Sequence, residues 1–112
     1  MTDLPDAEWL TVPDLVDLLG LTPSRVRRLI EDRHLVGVKR DGVLSVPASF
    51  LKNAEPLTEL RGTITLLTDN RFSDDEIVDW LLTRNEMLEA TPIDALRAGR
   101  KAEVRRIAQA EV

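Results

Sequence analysis

Two helix starts stand one after the other near the beginning of the chain, Thr11-Val12-Pro13-Asp14 and Thr22-Pro23-Ser24, with Gly20 between them. Each has the chemistry of a helix N-terminus. A threonine oxygen can accept an orphan N–H, and proline in the first turn loses no hydrogen bond. The first start also carries Asp14 near the positive end of the helix dipole. Leu15, Val16, Leu18 and Leu19 give the first helix an apolar face over residues 12–19, and Gly20 ends it where a left-handed residue costs little. In the second helix Val26, Leu29 and Ile30 recur at helical spacing. Only Gly20, Leu21 and Thr22 separate the two, so the helices must cross at a steep angle, which is the geometry of a helix-turn-helix.

The next segment switches period. Leu35-Val36-Gly37-Val38-Lys39-Arg40 and Val43-Leu44-Ser45-Val46 flank Asp41-Gly42, a strong short-range hairpin signal. Pro47 ends the second strand and can begin a short helix through Phe50 and Leu51. A hairpin directly after a helix-turn-helix is a wing, and the second helix of such a unit is the one presented to a major groove. With Val26, Leu29 and Ile30 inward, Thr22, Ser24, Arg25, Arg27 and Arg28 remain on its outer side. Arginine suits bidentate contact with guanine, and Lys39 and Arg40 beside the wing tip are placed for phosphate or the minor groove.

Charge distribution supports this although the total does not. The chain carries a net charge of -5, which opposes phosphate binding. Residues 22–52, however, hold seven cations (Arg25, Arg27, Arg28, Arg33, Lys39, Arg40, Lys52) against three anions (Glu31, Asp32, Asp41), a local excess of four. The acids lie elsewhere: five in residues 1–21 with no Lys or Arg, and 12 against eight bases in residues 53–112. A basic island in an acidic chain is the footprint of a small DNA reader.

These residues carry a resemblance. Trp9-Leu10-Thr11-Val12-Pro13, Leu18-Leu19-Gly20-Leu21-Thr22, Arg25-Val26-Arg27-Arg28-Leu29-Ile30 and the wing resemble the excisionase and MerR-like winged-helix group over residues 9–52. With its helical second half, the whole chain looks like the small actinobacterial winged helix-turn-helix DNA-binding proteins that are targets of a Ser/Thr protein kinase. The resemblance implies double-stranded DNA as partner, cytoplasmic location and phosphorylation near the N-terminus, for which Thr2 and Thr11 are the candidates; the motif, the basic island and the wing together point to a transcriptional regulator. A phosphate on either threonine would add about two negative charges to an acidic segment and should weaken DNA binding if that segment lies near the recognition helix.

The second half reads as helices. Leu57, Leu60, Ile64 and Leu67 give a face over 57–68, although Gly62 lowers its intrinsic propensity, so packing must hold it. Ser73-Asp74-Asp75-Glu76 is a capping box opening a helix with Ile77, Val78, Trp80, Leu81 and Leu82. Thr91-Pro92-Ile93-Asp94 starts a short helix ended by Gly99, and a last helix spans about 100–110 with Val104 and Ile107 inward. Trp80 to Leu88 followed by Thr91 to Leu96 is similar to the toxin-binding domain of Xre- and ParS-like antitoxins, which implies a surface for a protein partner or self-association.

The expected fold is mainly α with a small β-hairpin wing: a flexible acidic tail over 1–8, a winged helix-turn-helix over 9–54 and a helical interaction domain over 55–112. Competing roles for single residues are weaker. His34 has no second ligand at metal spacing and reads as a helix-end residue. Asp74, Asp75 and Glu76 are adjacent, point apart, and are explained by capping. Trp9 and Trp80 read as core anchors. With one histidine, no cysteine and no tyrosine, no nucleophile–base pair is present, so neither an enzyme nor a cofactor is expected. No stretch approaches the roughly 20 apolar residues of a membrane span.

Overall fold

Local capping chemistry decides where most helices begin in the computed structural model, which describes residues 8–111. Strand β1 (Trp9–Thr11) runs directly into helix α1 (Val12–Leu19). The Thr11 backbone N–H donates to Asp14 Oδ2 at 2.9 Å, and Thr11 Oγ1 accepts from the Asp14 backbone N–H at 3.4 Å. Asp14 thus closes a reciprocal capping box in addition to meeting the dipole. Gly20 ends α1 with φ 69°. Thr22 Oγ1 accepts from Arg25 N–H at 3.2 Å and starts α2 (Pro23–Glu31).

The wing follows as β2 (Val38–Arg40) and β3 (Val43–Pro47), turned by Asp41 and Gly42, both at positive φ. The sheet is antiparallel in the order β1-β3-β2, with Leu10 opposite Val46 and Lys39 opposite Leu44. Gly37 is required just before β2. A Cβ there would stand 2.9 Å from the Ser45 carbonyl oxygen, with Leu44 and Val46 also in contact.

Three expectations need correction. Trp9–Thr11 forms a third strand of the wing sheet. The segment after Pro47 is only a 3-10 turn (Ala48–Phe50), and Leu51 leaves it to form β4 (Leu51–Lys52), paired with β5 (Glu55–Pro56). Helix α3 therefore spans Leu60–Asp69 and does not start at residue 57. Leu57 is held outside it, its N–H donating to the Phe50 carbonyl at 2.9 Å and its side chain buried.

Three more helices complete the chain: α4 (Asp74–Leu82), α5 (Pro92–Arg97) and α6 (Lys101–Gln109). Ser73 and Glu76 form the expected reciprocal box, and Thr91 caps α5 through the Asp94 N–H. Gly62 lies where α3 meets α6, and the Arg105 guanidinium fills the place a Cβ would take. One hydrophobic cluster runs through both halves. Val26, Leu35 and Val36 from the first, Phe50 and Leu51 at the junction, and Leu60, Ile64, Ile77, Leu81 and Leu96 from the second belong to it. Trp9 and Trp80 are half-buried and pack against this cluster.

Candidate nucleic-acid interface

Helix α2 has one wholly buried side chain, Val26, while Leu29 and Ile30 are half-buried. That inner side fixes the rotation of the helix. Ser24, Arg25, Arg27 and Arg28 consequently face outward and are exposed, as is Thr22 at its N-cap. Thr22 has a local duty, since its oxygen holds the Arg25 N–H; its hydroxyl proton remains free to donate. A shallow groove runs along the same side, lined by Leu21, Arg25, Arg28, Leu29, Asp32 and His34. His34 follows the helix end, its N–H donating to the Leu29 carbonyl at 2.9 Å.

The wing presents Lys39 and Arg40, both exposed. They differ in freedom. Arg40 lays its guanidinium over the Trp9 ring, 4.4 Å from the centroid, a cation–π contact that orders the side chain while leaving its N–H groups at the edge available. Val43, opposite Arg40 in the register, is 50% exposed at the wing tip. The sequence reading missed Val43 and the Trp9–Arg40 stack, because β1 pairing brings Trp9 to the wing and no local pattern announces it.

Two cations of the basic island serve the fold. Arg33 reaches Asp74 Oδ1 at 3.0 Å and Thr68 Oγ1 at 2.8 Å, tying the residues after α2 to α3 and α4. Lys52 donates to the Arg97 carbonyl at 3.3 Å. The remaining five, Arg25, Arg27, Arg28, Lys39 and Arg40, stand on α2 and the wing. Among the described residues no group of His, Cys, Asp or Glu is arranged to hold a metal ion, and no helix is long and apolar enough to cross a membrane.

Of the candidate phosphorylation sites, Thr2 lies outside the described residues. Thr11 is half-buried and its oxygen caps α1.

A helix-turn-helix with a three-stranded sheet, a two-residue wing turn and an outward cationic helix defines a winged helix-turn-helix protein. Residues 3–51 match the family model described as "DNA-binding protein Rv2175c, wHTH domain", and residues 57–111 match "Rv2175c C-terminal domain of unknown function". The chain is 34% identical over 119 residues to DNA-binding protein Rv2175c of Mycobacterium tuberculosis (strain ATCC 25618 / H37Rv), covering 95% of this chain and 82% of that protein. The NMR structure of Rv2175c superposes with a TM-score of 0.86 at 34% identity, over 95% of this chain and 82% of the other. The chain belongs to the Rv2175c family.

Proposed function

We propose that this protein binds double-stranded DNA, with α2 in the major groove and the wing on the adjacent backbone, and that it regulates transcription in the cytoplasm. The observation that carries the reading is the burial of Val26 beneath exposed Arg25, Arg27 and Arg28: the helix has one way round, and that way offers guanidinium groups to base edges. The relative's printed name, a DNA-binding protein, supports it. In this reading Arg25 and Arg28 contact bases, Thr22, Ser24 and Arg27 contact the flanking backbone, and Lys39 and Arg40 hold phosphate. No catalytic role or cofactor is assigned.

The test is fluorescence anisotropy on a bound duplex. Arg25→Ala or Arg28→Ala should cost about 1 to 3 kcal/mol and relax base preference, whereas Lys39→Ala should weaken all sequences alike and flatten the salt slope. Absence of any binding at low salt sinks the reading.

Regulation by a Ser/Thr protein kinase is part of the same proposal. A phosphate on Thr11 would displace the capping oxygen and stand beside the Asp14 carboxylate, so modification there loosens α1 before it touches DNA. Thr2→Glu and Thr11→Glu separate the two candidates: a drop in affinity in one identifies the site, and unchanged affinity in both removes the idea.

A second role, as an adaptor for a protein partner or a second copy, has one supporting observation. Met87 is 82% exposed on a loop held by Asn85 Oδ1, which accepts from the Met87 N–H at 2.9 Å, and by Arg84, which donates to the Glu89 carbonyl at 2.9 Å. An apolar side chain on an ordered loop suits a protein contact. Met87→Glu should abolish any self-association seen by sedimentation and leave DNA affinity unchanged.

A further inference from the structure

We infer that the C-terminal half is part of the DNA-binding surface, with Arg61 on α3 and Arg105 on α6 taking phosphates of the duplex that α2 enters. This rests on the DNA-binding reading above and extends it to a part of the chain for which no ligand is assigned. Three observations support it.

The first is continuity. Arg25, Arg28 and Asp32 line one side of the groove along α2, spaced over about 10 Å at the helical rise of 1.5 Å per residue. Arg61 Nε donates to the Asp32 carbonyl at 2.9 Å. Arg61 therefore meets the end of α2 at Asp32, which lines the groove together with Arg28. The Arg105 guanidinium lies over Gly62, next in sequence to Arg61. Gly62, costly to a helix, lets the Arg105 guanidinium approach the first turns of α3 where a Cβ would otherwise stand.

The second is availability. Both side chains belong to exposed residues, and no carboxylate of the described residues pairs with either, whereas Arg33, Arg84 and Arg100 each have an acidic partner. Arg61 uses only its Nε on the protein, so its terminal N–H groups remain for an anion. Asp32 is the one acid in the row, and Arg28 stands one turn before it. Asp74, Asp75 and Glu76 lie at the opposite end of α3, where Asp74 is occupied by Arg33.

The third is rigidity. Arg33 joined to Thr68 and Asp74, and Arg61 joined to Asp32, fix α3 to α2 at both ends. A duplex seated on α2 meets Arg61 already in place, with little ordering cost.

Salt titration of the full chain is the discriminating experiment, because each phosphate contact adds about 0.9 to the slope of log affinity against log salt. Arg61→Gln combined with Arg105→Gln should reduce that slope by about 1.8 and the affinity by on the order of tenfold near physiological salt, with base preference unchanged. Arg105→Gln alone, which breaks no ion pair among the described residues, should remove about half of the slope change. Lysine at both positions should restore most of it. A slope equal to wild type overturns the inference. So does weaker binding at an unchanged slope, which would mean that Arg61 only braces α2. Failure of the DNA-binding reading looks different: the wild-type chain itself would then show no binding at low salt.

Discussion

Thr63 is wholly buried in α3, and its hydroxyl has no hydrogen-bond partner among the described residues. An unsatisfied buried hydroxyl costs about 1 to 3 kcal/mol, and valine has nearly its shape. Thr63→Val should raise the urea midpoint, by about 1 kcal/mol in unfolding free energy; a lower midpoint would mean that the hydroxyl has a partner after all. Two glycines make an opposite pair. At Gly37 a methyl group meets the Ser45 backbone oxygen at 2.9 Å, and backbone does not move cheaply, so Gly37→Ala should destabilise by about 1 to 3 kcal/mol. At Gly62 it meets only the end of the Arg105 side chain. Gly62→Ala gains helix propensity of about 0.5 to 1 kcal/mol and should leave stability equal or higher in thermal melts, while displacing Arg105.

Capping was legible at the scale of elements, because it is local. Thr11, Thr22, Ser73 and Thr91 each sit three residues before the N–H they accept, and each start is where the sequence places it. The β4–β5 hairpin was not legible. Its turn holds Asn53 and Ala54 at φ 55° and 59°, and alanine in that region is no turn signal; packing of Leu51 and Leu57 into the core imposes it. Strand β1 was hidden for a similar reason, since three residues pair with a strand more than thirty positions away.

Two carboxylates in the first turns of their helices also titrate. The Ser73 backbone N–H, then its hydroxyl, hold the Glu76 carboxyl below the usual 4.5. A hydrogen bond from Arg100 does the same for Glu103. A lowered carboxyl value means that the folded state prefers the ion. Its stabilisation is complete above about 4.5 and fades as pH falls through the lower folded value. Glu76→Gln keeps an acceptor oxygen but cannot titrate, so thermal melts of this variant should depend less on pH below about 4.5; an identical acid limb would argue against the box.

For the whole molecule, the cationic face of α2 and the wing was readable from residue types and helical period. Which cations are free was not. Arg33 and Lys52 counted toward the basic island, yet the fold uses them, and Arg61 meets its edge at Asp32 from a segment whose overall balance is acidic. The halves also share one hydrophobic cluster. Unfolding should be a single transition with coincident fluorescence and circular-dichroism midpoints, and separate midpoints would show that the shared core is not cooperative.

The most direct measurement is selection of duplexes from a random pool by the wild-type chain and by Arg25→Ala/Arg28→Ala. Wild type should enrich one motif, and the double variant should still retain DNA at low salt but lose that motif. If both proteins enrich the same motif equally, α2 is not the element that reads the bases.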